Sequence, residues 1–167
     1  MGSLDHPSVQ KVRSALIEAG AIAAADGIRL LDEDARTAAA AATALGVEVA
    51  AIANSLVFRA VSADGAEWPL LVLASGAHRA DTHVLAALVG AERVDRADPD
   101  FVRVHTGQPI GGVAPVGHPS RIRTLVDTTL AGHPVVWAAA GHPKAVFPTT
   151  FAELVELSGG EPAEVTS

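Results

Sequence analysis

The chain has 167 residues, enough for one domain and cramped for two. Apolar residues make up 49% of it, so a sizeable core can form, and aromatics at 4% argue against a surface that stacks successive bases of a single strand. Cysteine is absent, which removes disulfides, thiolate catalysis, cysteine zinc sites and iron–sulfur clusters together, and a net charge of −7 discourages a broad nucleic-acid footprint.

The negative charge sits at the ends. Residues 1–34 hold six acids and three bases, and residues 151–167 hold four acids and no base. Residues 35–150 balance at nine of each. Ten of the twelve bases are arginine, and Arg121 with Arg123 is the nearest approach to a basic cluster. A solvated strand edge explains that pair as well as a phosphate contact does. The polar start MGSLDHPSVQKV does not read as a signal peptide, and no apolar stretch is long enough to span a membrane. A soluble cytoplasmic protein is the expectation.

Ser8 is placed to cap a helix to about Ala19, with Val9, Val12 and Leu16 on one face and Gly20 as its stop. Ile28–Leu31 reads as a short strand. Thr37 opens an alanine-rich helix closed by Gly46, whose small face suits close packing on a sheet. Ala51–Val61 and Pro69–Ala74 read as strands joined by the turn Asp64-Gly65, a hairpin. Asp81 caps a helix to about Val89, and Asp98-Pro99 opens another that ends near Gly107. Residues 107–119, GQPIGGVAPVGHP, form a loop with apolar anchors at Ile110, Val113 and Val116. Ile122–Val126, Val135–Ala140 and Lys144–Phe147 are strand candidates. Thr149 or Thr150 caps a last amphipathic helix, and residues 159–167 read as a flexible tail. The mixture of helices and strands gives an α/β or α+β domain around a mixed sheet, spanning residues 1–158.

Several familiar constellations are incomplete. HRADTH (residues 78–83) lacks the helical spacing of a metal-binding H-E-x-x-H, so no metal is expected. Ser75-Gly76 lacks the first glycine of G-x-S-x-G, because Leu73 stands there. Neither a Walker lysine motif nor G-x-G-x-x-G is present, and no cofactor is expected. The informative segment is Gly111-Gly112-Val113-Ala114-Pro115. Small residues ahead of a proline let a ligand approach backbone N–H groups, which hold a carbonyl or oxyanion without a charged side chain. The same residues also read as an ordinary tight turn. In Gly141-His142-Pro143 the proline stiffens the backbone after a strand and fixes His142 there, or marks a surface turn.

TAAAAATALGVEVAAIANSLVF, LLVLASGAHRAD, DFVRVHTGQPIGGVAPVGH, IRTLVD and VVWAAAGHPKAVF follow one another in the order of the YbaK-like family, which this protein resembles over about residues 5–158. That family includes the free-standing ProX-type aminoacyl-tRNA deacylases and the editing domain inserted in some bacterial prolyl-tRNA synthetases. The resemblance implies a mixed α/β fold with a curved, barrel-like sheet surrounded by helices. It implies metal-independent hydrolysis of the ester between a wrong, small amino acid such as alanine or cysteine and the terminal ribose of a tRNA, that for proline being one candidate. The Gly-x-x-x-Pro loop, here Gly111 to Pro115, then binds the substrate near the scissile carbonyl. His142 with Pro143 resembles the histidine–proline pair that lines the pocket in some relatives. Asn54, before Ser55, stands where the family usually carries a lysine that places the tRNA end. Lys144 offers a substitute charge, and Gly107 and Val57 complete the expected substrate contacts. A lining of Val57, Ala74, Val113 and Ala114 would suit a small side chain. The implied partners are the aminoacyl 3′ end of tRNA and prolyl-tRNA synthetase. Because asparagine brings no charge, a non-catalytic module that binds an aminoacyl end or a small ligand is the alternative reading. An esterase for another small acyl ester is a third.

Overall fold

The computed structural model describes residues 6–32, 37–110 and 112–166. Glycine and hydroxyl or acid caps set most of the helix limits. Thr37, Asp81, Asp98 and Thr150 each accept a first-turn N–H, and Gly46, Gly90, Gly107 and Gly159 close their helices in the left-handed conformation. These bound α3 (Ala38–Leu45), α4 (Thr82–Val89), α5 (Pro99–Thr106) and α6 (Phe151–Ser158). The Phe101 N–H, donated to Asp98, holds that carboxyl below its ordinary pKa. Helix α1 (Pro7–Glu18) is capped differently from expectation: the His6 ring accepts the Ser8 N–H at 3.2 Å, and Pro7 occupies the first turn. A five-residue α2 (Ile22–Asp26) follows, a turn too short for its alanines to announce.

Among the described residues eight strands form one mixed sheet. They are β1 (Arg29–Leu30), β2 (Ile52–Val61), β3 (Glu67–Ser75), β4 (Arg93–Arg96), β5 (Arg123–Asp127), β6 (Val136–His142), β7 (Ala145–Thr149) and β8 (Glu161–Ala163). Their order is β1-β7-β6-β2-β3-β5-β8, with β4 on β2. The hairpin β2–β3 pairs from Ala53 opposite Ser75 to Val61 opposite Glu67, around the Asp64-Gly65 turn as expected. Strand β4 carries a single buried apolar residue, Val94, which is why its sequence gives no strand signal.

The segment beyond Gly159, expected to fray, is instead held. Glu161–Ala163 pairs in parallel with β5, the Val165 side chain is fully buried, and its C=O accepts the Asp81 N–H at 2.9 Å. Burial of one apolar side chain and a strand ladder outweigh the disorder natural to a terminus.

Alternation along the hairpin divides the core. Ala53, Val57, Leu71 and Leu73 face a cluster built with α1 and with Val113, Ala114 and Val116 of the glycine-rich loop. Leu70, Val72 and Ala74 face a second cluster under α4. A third, small cluster joins Ala41 and Ala42 of α3 to Ile52. Alanine at these positions lets α3 lie close against the start of β2, and so against the site described next.

Candidate active site

Where α3, β2, β6, the β6–β7 turn and the glycine-rich loop converge, they leave a small open cleft. Asn54 and Ser55 form one wall, Val113 comes from the loop, and His142 and Pro143 come from the end of β6. Gly112, Ala114 and Pro115 are buried behind Val113, while Gly111 lies outside the described residues. Val57, Gly107 and Lys144 are not among the residues that line the cleft. Of the four residues expected around a small side chain, Val113 alone lines it. Ala74 points into the cluster under α4, on the other face of the sheet.

A bulge places His142. The β6–β7 register jumps from Ala139 opposite Val146 to His142 opposite Ala145. Gly141 sits in this irregularity at φ +92°, and a Cβ there would meet the Ser8 carbonyl oxygen of α1 at 2.7 Å. The Lys144 N–H then donates to His142 Nδ1 at 3.0 Å. With Nδ1 accepting, the neutral ring carries its proton on Nε2, which makes it a donor rather than a base at that nitrogen. Lys144 is held through its backbone, its C=O accepting the Leu31 N–H at 2.7 Å.

The loop packs directly onto this turn. A Cβ on Gly112 would meet the His142 carbonyl carbon at 2.7 Å and the Pro143 nitrogen at 2.8 Å, so only glycine permits the approach. Between Gly112 and Pro115 most of the amides are spoken for. The Gly112 N–H donates to the Pro109 C=O at 3.0 Å, and the Ala114 N–H donates to Gln108 Oε1 at 2.6 Å. Pro115 has no N–H. The Val113 N–H has no hydrogen-bond partner among the described residues. Between Gly112 and Pro115 the one backbone donor without a partner among the described residues therefore belongs to Val113, the residue that lines the cleft.

No motif in the sequence singles out Gln108. It is a buried amide that also donates from Nε2 to the Val116 C=O at 3.0 Å, with its own N–H on Thr106 Oγ1. The only clue in the sequence is an amide side chain inside a loop with few partners of its own. His118 Nε2 lies 2.8 Å from the Ala114 C=O, and burial holds that imidazole below the ordinary histidine pKa.

The other candidate groups have structural partners. The Ser75 Oγ donates to the Ala50 C=O at 2.8 Å, its N–H donates to Asp127, and His78 Nδ1 lies 2.9 Å from Asp127 Oδ2. That hydroxyl is committed to a carbonyl, so the trio ties the ends of β3 and β5 together rather than presenting a nucleophile. Asp81 caps α4 by accepting the His83 and Val84 N–H groups. Arg123 donates to the Val89 C=O and pairs with Glu161. Among the described residues no helix is long and apolar enough to cross a membrane.

Residues 32–157 match the family model of the aminoacyl-tRNA editing domain. The protein is similar to a crystal structure of a candidate trans-editing enzyme for prolyl-tRNA synthetase, with a TM-score of 0.84 and 40% identity over 96% of this sequence and 98% of that one. A protein from a study of epitope grafting onto scaffolds is similar at 36% identity, with a TM-score of 0.84 over 96% of this sequence and 98% of that one. A hypothetical protein, APE2540, gives 29% identity and a TM-score of 0.81 over 94% and 99% of the two sequences. With the family model covering most of the sheet and both walls of the cleft, this protein belongs to the aminoacyl-tRNA editing domain family.

Proposed function

We propose that the protein is a trans-editing deacylase that hydrolyses the ester of a tRNA mischarged with a small amino acid, alanine or cysteine on the tRNA for proline being the first candidates. The observation that carries this reading is that Val113, whose N–H has no partner among the described residues, lines the same cleft as His142. An aminoacyl ester is already activated. The protein has only to orient it and stabilise the oxyanion that forms when water adds to the carbonyl. Val113 N–H is the backbone donor for that oxygen, and the His142 ring lines the cleft beside it. Among the described residues no Asp or Glu lines the cleft, and the reading gives proton transfer from water to the substrate's own ribose hydroxyl. A hydrolytic second site is chemically reasonable, because one methylene gives a binding pocket only about 1–3 kcal/mol of discrimination.

The near-neutral middle of the sequence fits a protein that touches the tRNA end and draws further affinity from a synthetase. Similarity to the candidate trans-editing enzyme supports prolyl-tRNA synthetase as that partner. Asn54 in the cleft favours a second reading, a module that binds an aminoacyl end without turnover. Deacylation of a panel of mischarged tRNAs by the purified protein separates the two. Release of alanine or cysteine supports the enzyme. Saturable binding of the same tRNAs with no release supports the binding module.

A further inference from the structure

Threonine or aspartate caps α3, α4, α5 and α6, in line with the oxygen side chains that suit an N-cap best. Helix α1 departs from this. Its cap is an imidazole, His6, whose Nδ1 accepts the Ser8 N–H. Capping by itself does not call for a ring. The His6 ring has a second contact: its centroid lies 5.0 Å from that of His142, with the two planes tilted by 59°. Tilted rings with centroids about 4.5–7 Å apart are a favourable aromatic arrangement.

The contact follows from the way α1 is seated. Val9, Val12 and Leu16 are buried in the main core cluster. The first turn lies directly on the β6 bulge, where a Cβ on Gly141 would meet the Ser8 carbonyl oxygen at 2.7 Å and Val12 Cγ2 at 3.0 Å. His6 stands two residues before Ser8, and His142 directly follows Gly141, so this seating brings the two rings together. The Lys144 N–H holds the His142 ring at one atom, Nδ1. The last torsion of a histidine has a broad energy well, so a bond at one atom leaves the tilt of the ring loosely set. A second ring packed against it narrows that tilt.

We propose that His6 is a positioning residue for the cleft: its imidazole, packed against that of His142, sets the tilt at which the His142 ring lines the cleft. The effect on turnover rests on the deacylase reading above, and the effect on the ring does not. His6 then serves two ends, its Nδ1 atom for the helix and its ring for the site. Two substitutions separate them. Serine keeps an oxygen for the cap and removes the ring. Phenylalanine keeps a ring and removes the acceptor.

The test uses the full-length protein with His6→Ser and His6→Phe, and alanine-charged tRNA for proline as substrate. His6→Ser is expected to melt close to the native protein and to lose about three- to tenfold in kcat, the size of one aromatic contact. His6→Phe is expected to melt lower, from the lost cap, and to keep kcat near the native value at a temperature where it is folded. A role in the helix alone predicts the reverse order, with His6→Phe the more impaired. Long-range proton–nitrogen NMR spectra of the His142 imidazole, at about pH 8 where imidazoles are neutral, read the ring itself. One tautomer, protonated on Nε2, is expected in the native protein and in His6→Phe. An average of two is expected in His6→Ser, as the loosened ring leaves the Lys144 N–H. An unchanged tautomer in His6→Ser, a native kcat in His6→Ser, or an equal loss of kcat in the two variants overturns the proposal. If His6→Phe does not fold, the native protein and His6→Ser decide. If the native protein releases no amino acid, the deacylase reading falls and the spectra decide alone: averaging in His6→Ser keeps the positioning role, and an unchanged tautomer overturns it. Turnover in the native protein with an unchanged tautomer in His6→Ser does the reverse, keeping the deacylase and removing the role of His6.

Discussion

Gln108 Oε1 accepts the Ala114 N–H at 2.6 Å, so a buried side-chain amide, six residues away in sequence, serves as the partner of the loop's central peptide. Its Nε2 holds the Val116 C=O at the same time. The loop is folded around this side chain, which decides that Val113 rather than Ala114 keeps a free N–H.

Gln108→Leu is expected to lower kcat of deacylation about ten- to a hundredfold with a smaller change in KM, because the donor for the oxyanion loses its alignment. Leaving two buried backbone groups unpaired also lowers stability by about 1–3 kcal/mol. Steady-state kinetics with a mischarged tRNA and a denaturant melt read the two effects separately. An unchanged kcat would remove Gln108 from the positioning of the loop.

Gly112→Ala forces the loop away from the His142–Pro143 backbone. The expected loss is about 10²–10³ in kcat, the size of a lost oxyanion donor, with destabilisation of about 1–3 kcal/mol from overpacking. Gly132→Ala is the control, since a Cβ there meets nothing within 4 Å. It should leave both rate and melting temperature near those of the native protein.

Asn54→Lys adds a cation to a cleft whose lining holds no Lys or Arg among the described residues. A charged hydrogen bond to the tRNA end is worth about 1.5–3 kcal/mol, so kcat/KM should rise about tenfold or more, chiefly through KM. The gain should shrink as salt is raised. Kinetics at two ionic strengths check both statements.

Burial lowers the His118 pKa below its ordinary value, although the Ala114 C=O beside it favours the proton. The unfolded ring titrates at its ordinary value, higher than in the folded protein, so the unfolded state takes up the proton first. The stabilisation is complete above the ordinary histidine pKa and declines as pH falls through that value toward the folded one. His118→Gln keeps a donor near the Ala114 C=O and does not titrate. Its melting temperature should fall less than that of the native protein between pH 7.5 and 5.5.

Local signals in the sequence are decisive where one residue determines the geometry. Thr37, Asp81, Asp98 and Thr150 cap helices as expected, and Gly46, Gly90 and Gly107 end them. What escapes such signals is fixed by distant partners. The RVDR and EPA strands carry too little apolar pattern to be seen, and they form because β2 and β5 have edges to fill. At the cleft, the expected residues Asn54, Ser55, Val113 and His142 do line it. Sequence alone does not tell that Lys144 is engaged through its backbone, or that Gln108 selects which amide is free. Both depend on hydrogen bonds made after the fold has closed on itself.

Strand β2 leaves β6 after Ala53 and meets β4 only at Phe58, and the gap in that edge has a dynamic signature. Within one continuous strand, the amides of Asn54 and Leu56 are locked into the ladder with β3, while that of Ser55 faces the gap. Amide exchange should therefore alternate, slow at 54 and 56 and fast at 55, a pattern that fraying of the whole strand cannot produce. Occupancy of the cleft by a ligand would slow the middle amide and leave its two neighbours as they were.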